Sequence, residues 1–170
     1  MKRLLTALMV AMAMGAFAAS ASAAPQSMAS GGGQTHDSAS FGFNAKDNES
    51  GSFNYVGNTQ YAVTINGTAI PVGSKFIGHC FSYTHVNFVS TTEARLFARC
   101  RGFFFVNGGP PIRGVVYLQA HVIDNGEPGV NDRACIAWGT HSSPGRGDEG
   151  LFVRDCGRVQ AGNIQVKPAS

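Results

Sequence analysis

Charged side chains are scarce in this sequence: aspartate, glutamate, lysine and arginine together make up 14% of its 170 residues. Outside the first 23 residues there is no long hydrophobic run, and no window of ten residues repeats its apolar positions with the 3.6-residue period of a helix. These absences exclude a coiled coil and a polytopic membrane protein. The chain is instead rich in glycine (22) and phenylalanine (12), a composition that favours tight turns and strands.

The first 23 residues have the composition of a secretory signal peptide. Lys2 and Arg3 precede an apolar run over residues 4–19, and residues 21–23 offer a small-residue cleavage site. The run is too short and too weakly flanked for a stable anchor, so we expect no stable membrane insertion. We predict cleavage after Ala23 and a secreted, extracytoplasmic product, either periplasmic or extracellular.

Removal of that segment leaves an almost neutral chain. Eleven lysines and arginines then face ten aspartates and glutamates, for a net charge near +1. Such a small net charge gives no reason to expect binding to nucleic acid or to an anionic membrane. We therefore expect an extracellular partner, a carbohydrate or another protein.

All four cysteines lie outside the predicted leader, and an even number in an exported chain indicates two disulfides. Of the three possible pairings we predict Cys80–Cys100 and Cys135–Cys156, because each would join neighbouring strands. Side-chain alternation also places Cys135 and Cys156 on the outward side of their strands. Each loop of about 20 residues is worth about 3 kcal/mol in the chain-entropy model. The spacing does not suit a zinc site.

The remaining sequence predicts a single all-β domain over residues 41–170, preceded by a flexible lead-in of Ala, Ser and Gly over residues 24–40. Short β-type runs alternate with turn signals such as Asn66-Gly67 and Asn125-Gly126. They predict an antiparallel sandwich or small barrel of about 8–11 short strands, stapled by the disulfides. The runs are 41–46, 52–56, 61–65, 75–81, 83–89, 94–100, 103–106, 112–123, 133–138, 151–155 and 162–166.

Side-chain alternation predicts which face of each strand meets the core. In residues 94–100 and 112–123 the even positions form an apolar face, whereas the odd positions are polar or mixed. Five further aromatic residues are expected to fill the core: Phe103, Phe104, Phe105, Tyr117 and Trp138.

Four short segments occur together in this chain: FGFNAK at 41–46, GSFNY at 51–55, VIDNGEPG at 122–129 and GNIQV at 162–166. In this combination the chain resembles the post-COAP domains, a family of β-rich domains exported by bacteria. The resemblance covers about residues 41–166 and implies a β-rich fold and an extracytoplasmic location, but it supplies no catalytic residues. The chain departs from the family pattern at Lys167, where a histidine is expected.

The acidic segment 124–132 is the best candidate for a metal site. Asp124, Glu127, Asn131 and Asp132 lie within nine residues, and oxygen ligands at this density can hold Ca²⁺. The spacing departs from that of an EF-hand, because a glycine and a proline stand where ligands should be. The alternatives are a rigid multiple turn, whose carboxylates accept backbone N–H groups, and a catalytic carboxylate pair. The sequence favours the turn and predicts no other cofactor.

A second candidate site lies on the predicted strand that begins at residue 94. Arg95, Arg99 and Arg101 share one face of it, with Phe97 between them. Such a face could bind an acidic polysaccharide or a cell-wall polymer through charge-assisted hydrogen bonds and stacking. The alternative is an ordinary solvated face whose arginine stems cover Phe97.

No catalytic motif is recognisable: the sequence has no nucleophile elbow, metalloprotease helix, phosphate loop or Cys–His arrangement. Residues 145–150 match G-x-G-x-x-G and contain Arg-Gly-Asp, but they lead into a strand, so we interpret both matches as coincidences. The sequence therefore favours a non-catalytic binding or structural module. The alternative is a small-barrel enzyme with polar side chains at the barrel mouth, namely Tyr83, His85, Gln119 and His121.

Overall fold

A computed structural model describes residues 25–35, 37–127, 129, 131–142 and 150–169. The predicted signal peptide and residues 145–149 of the G-x-G-x-x-G match lie outside these ranges. Within the ranges, no helix has both the length and the apolar composition needed to cross a membrane.

The described chain is all-β, as predicted, and most of its strands form one antiparallel sheet that curls into a half-barrel. The strand order is β11-β10-β9-β8-β6-β3-β2-β1-β12. Both β6 and β7 pair with the same edge of β8, at different positions along it. β4 and β5 form a separate hairpin. The strands are β1 (Met28–Gln34), β2 (Ser40–Lys46), β3 (Ser50–Asn58), β4 (Val63–Ile65), β5 (Thr68–Ile70), β6 (Lys75–Ser82), β7 (His85–Phe88), β8 (Glu93–Phe105), β9 (Ile112–Ile123), β10 (Arg133–Gly139), β11 (Leu151–Arg158) and β12 (Ala161–Lys167).

The link between β11 and β12 requires the sheet to curl. These strands stand at opposite ends of the strand order, but only Val159 and Gln160 separate them in the chain. The Cα atoms of Arg158 and Ala161 can be at most about 11 Å apart. Nine strands in a flat sheet would span about 38 Å. The two ends of the sheet must therefore approach each other.

The concave side of the half-barrel is packed with aromatic rings. The Phe76 ring lies 4.9 Å, centroid to centroid, from both Phe104 and Phe152, and its distance to Trp138 is 5.2 Å. All four side chains are fully buried, as are Phe53 and Leu118. The even positions of residues 94–100 face this core, and so do those from Val116 to Val122, which confirms the predicted alternation.

Residues 24–40, predicted to be a flexible lead-in, contain β1, so that prediction is wrong for Met28–Gln34. This strand pairs with β12 on one side and with β2 on the other. Its glycines allow close approach of its neighbours, because a Cβ at Gly32 would lie 2.8 Å from the carbonyl oxygen of Phe41. A glycine-rich composition is typical of a linker, but in β1 the lack of side chains allows the neighbouring strands to pack closely against it.

The strands differ from the sequence prediction in two further ways: two predicted runs form one strand, and one short strand was not predicted. β8 runs unbroken through Gly102, where two separate runs were predicted. Gly102 faces the core, and a Cβ there would lie 2.8 Å from the Val116 side chain, so the glycine relieves crowding and does not end the strand. β5 was missed because three residues carry too little periodicity to be recognised.

Both predicted disulfides are present, Cys80–Cys100 and Cys135–Cys156. The first is buried on the concave side and joins β6 to β8. The second lies on the convex side, where the register places its two cysteines directly opposite each other. Two disulfides are consistent with an oxidising, extracytoplasmic compartment.

Candidate functional site

The convex face of β6 and β8–β11 carries most of the positive charge of the described chain. Three of the 13 lysines and arginines (Lys2, Arg3 and Arg146) lie outside the described residues, and eight of the other ten project from this face. All eight are exposed. We call this surface the basic face, defined by Lys75, Arg95, Arg99, Arg101, Arg113, Arg133, Arg154 and Arg158.

Negative charge is almost absent from the basic face. Glu93 is the one carboxylate that the strands of the described chain place there, and it lies 3.7 Å from Arg95 Nη2 and 2.6 Å from His121 Nε2. The small net charge of the chain therefore conceals a separation of charges. The sum of charges gave no reason to expect an anionic partner, but the distribution of charges gives one.

The three arginines predicted as a binding site, Arg95, Arg99 and Arg101, lie together on β8 as expected. The Arg101 guanidinium is 5.5 Å from the ring centroid of Phe81, and Arg99 stands opposite Tyr117. Five other members of the basic face were missed. Alternation shows that each of them points outward, but only the strand order places them beside β8.

Three aromatic residues expected in the core lie on the basic face instead. Phe103, Phe105 and Tyr117 are half-buried on the convex side, whereas Phe104 and Trp138 do fill the core. Neighbouring side chains of a strand point to opposite faces, and because the even positions of β8 face the core, only the middle one of these three phenylalanines points inward. The Lys75 ammonium lies 5.8 Å from the Phe105 ring centroid, and the Phe103 ring stands in the same relation to a neighbouring arginine, at 5.9 Å. The face thus combines cations with partly exposed rings.

The acidic segment 124–132 follows β9 and reaches across to the free edge of β12. Asp132 is fully buried; its Oδ1 accepts the backbone N–H of Asn125 at 2.9 Å and its Oδ2 that of Ile164 at 2.7 Å. Asp124 likewise accepts the N–H groups of Gly126 and Val166. Each carboxylate therefore accepts one backbone donor from its own loop and one from the β12 edge, which would otherwise be open.

Glu127 and Asn131 bind within the same region. Glu127 Oε1 accepts from Gln165 Nε2 at 2.9 Å and from Asn163 Nδ2 at 2.8 Å, and these hydrogen bonds lower the pKa of Glu127. Their contribution to stability is present above the ordinary glutamate pKa and is lost as the pH falls through the lowered value. The Asn131 carbonyl accepts from Asn125 Nδ2 at 2.8 Å. These bonds favour the turn interpretation.

The calcium interpretation stays a prediction, and within the described residues no three His, Cys, Asp or Glu side chains are grouped as a metal site requires. Calcium would have to compete with backbone N–H groups for Asp124 and Asp132. We therefore expect the melting temperature of the oxidised mature chain to be the same with Ca²⁺ and with EDTA. A site at 100 times its Kd would add about 2.7 kcal/mol, a rise of several degrees. Such a rise, reversed by EDTA, would establish the metal site.

The four polar residues of the enzyme alternative do not converge. Tyr83 is buried, and its Oη lies 2.7 Å from the Ser52 carbonyl oxygen and 2.9 Å from that of Asn44; burial raises the pKa of this phenol. His85, Gln119 and His121 instead lie on the convex side of their strands. The predicted barrel-mouth site is therefore not formed by these residues, because Tyr83 is committed to the backbone on the other side of the sheet.

No protein-family model matches the chain, and searches of curated proteins and of solved structures also give no match. The resemblance to post-COAP domains therefore stays a prediction from the sequence.

Proposed function

We propose that this chain is an exported, non-catalytic β domain that binds an acidic polysaccharide through its basic face. One observation carries the proposal: in a nearly neutral chain, the described strands place eight exposed cations and a single carboxylate on one sheet face. A field of one sign raises the local concentration of a polyanion and speeds its association.

The shape of the basic face suits a linear polymer. From Arg113 to Ile123 the strand β9 covers about 34 Å, and cations lie along this whole length on the neighbouring strands. Arginine binds carboxylate and sulfate groups with two parallel hydrogen bonds, which suits uronic acids and sulfated sugars. The exposed side chains of Phe81 and Val115 add apolar surface for sugar C–H groups.

A polysaccharide is favoured over nucleic acid by the compartment. The two disulfides are consistent with a location outside the cytoplasm, and the predicted leader supports the same location. Acidic polysaccharides and cell-wall polymers are polyanions of that environment.

Binding of the mature chain to a uronic-acid polysaccharide and to a sulfated one tests the proposal, with a neutral glucan as comparison. We expect both acidic polymers to bind, with a Kd that rises with salt. The Arg99→Gln/Arg101→Gln variant should bind roughly 10-fold more weakly, because each exposed arginine contributes about 0.7 kcal/mol.

The matched control removes two positive charges elsewhere. Lys46 and Lys167 are exposed and lie off the basic face, so Lys46→Gln/Lys167→Gln should leave the Kd unchanged. An equal loss in both variants would show that only net charge matters. Tighter binding to single-stranded nucleic acid than to either polysaccharide would also overturn the proposal.

A further inference from the structure

We infer that Arg133 and Arg158 form a subsite for a single oxyanion group, such as sulfate, phosphate or carboxylate. The two residues stand directly opposite each other on β10 and β11, at the end of the basic face nearest the acidic segment. As part of polysaccharide recognition the subsite rests on the proposed function, but its affinity for a small anion can be measured separately.

The electrostatics of this pair indicate a missing partner. Like charges directly opposite each other on neighbouring strands destabilise a sheet. The ion pairs within the described ranges join other residues, and neither of these two guanidinium groups takes part in one. Asp132 is adjacent in sequence to Arg133, but its carboxylate is buried and accepts backbone N–H groups. Among the described residues, the pair therefore presents two exposed guanidinium groups that have no ion-pair partner.

A cavity lies where an anion would bind. Arg133, Arg158, Asn125 and Asn131 line an open cavity of about 510 Å³. The loop wall of this cavity is held in place, because Asn125 donates its side-chain amide to the Asn131 carbonyl and its backbone N–H to Asp132. Guanidinium groups supply N–H donors in a fixed fork that matches an oxyanion.

Two other arginines of the basic face also line one cavity, but they are diagonal neighbours and differ from this pair in one respect. Arg101 and Arg113 line a cavity of about 440 Å³ with Phe103 and Val115, and each of their guanidinium groups lies over a phenyl ring. In the part of the chain that the structure describes, Arg133 and Arg158 have no such ring. A bound anion would therefore reduce charge repulsion more at Arg133 and Arg158 than at Arg101 and Arg113.

Thermal melts of the oxidised mature chain at low ionic strength test the subsite, with sodium sulfate titrated against sodium chloride at equal ionic strength. For the native chain we expect a saturable rise in melting temperature of about 2–4 °C with sulfate. In Arg133→Gln/Arg158→Gln the saturable rise should vanish, and the melting temperature without sulfate should be higher because the repulsion is removed. The general stabilisation by sulfate is linear and should remain in every variant.

Lys46→Gln/Lys167→Gln is the matched control, because it removes the same net charge from two exposed residues that lie off the basic face. It should keep the saturable response; loss of the response in both variants, or in neither, would refute the subsite.

The subsite and the proposed function can be refuted independently of each other. Polysaccharide binding without a saturable sulfate response would refute only the subsite, whereas a sulfate response without polysaccharide binding would refute only the proposed function.

Discussion

A chain that lacks residues 24–35 should not fold. β1 lies between β2 and β12, so its removal leaves two strand edges unpaired and separates β12 from the sheet. The truncation also removes Thr35, whose hydroxyl hydrogen-bonds to the buried carboxylate of Asp155. Together these losses should exceed the 5–15 kcal/mol by which a domain of this size is stable. Circular dichroism and the dispersion of amide NMR signals would report the result, with the full mature chain as reference.

A cooperative melt of the truncated chain, close to that of the mature chain, would show instead that this segment is the flexible lead-in its composition predicts.

A point variant provides a finer test that does not abolish folding. Gly32 and Gly42 are register partners, but a Cβ at Gly32 would lie 2.8 Å from the Phe41 carbonyl oxygen, whereas nothing lies within 4 Å of one at Gly42. Gly32→Ala should lower the free energy of unfolding by about 1–3 kcal/mol, and Gly42→Ala should leave it almost unchanged.

Replacement of Asp132 by Asn should lower the free energy of unfolding by roughly 3 kcal/mol. Each oxygen of this buried carboxylate accepts one backbone N–H, from Asn125 and from Ile164. A carboxamide keeps one acceptor and turns an NH₂ group toward the other donor. The loss of a hydrogen bond to a charged group costs about 1.5–3 kcal/mol, and an orphaned buried donor adds a similar amount. Urea unfolding of the oxidised chain would measure the change.

Asp124→Asn is the graded comparison for this prediction. Asp124 also accepts two backbone N–H groups, but it is only half-buried, so water can replace part of what is lost. We expect a loss of about 1 kcal/mol. If the two variants were equally mild, the closure of the β12 edge would not depend on the buried carboxylate.

The features that the sequence predicted correctly are local ones. Alternation with a period of two identified the inward face of residues 94–100, because each side chain's direction follows from its immediate neighbours in an extended chain. The Cys135–Cys156 pairing followed in the same way from outward parity and a short loop. The glycine run of β1 was misread, because glycine can indicate either a flexible linker or a close contact between strands, and composition alone does not distinguish these.

The candidate site was predictable only along one strand. Arg95, Arg99 and Arg101 share β8, so their common direction could be worked out from spacing. Arg133 and Arg158 are 25 positions apart in the sequence and were not recognised as a pair, although an antiparallel register through the predicted Cys135–Cys156 disulfide places them opposite each other. Their proximity depends on which strands pair and in what register.

The sequence by itself determined most of the strand content, the pairing of the cysteines and the outward direction of the arginines on β8, because each depends on residues within a short stretch of the chain. The tertiary structure alone decided the strand order. That order separates the charges of a nearly neutral chain onto different surfaces, and it places the carboxylates of Asp124 and Asp132 against the β12 edge. Charge separation of this kind arises from pairing between distant segments, so it is absent from any sum or local pattern of the sequence.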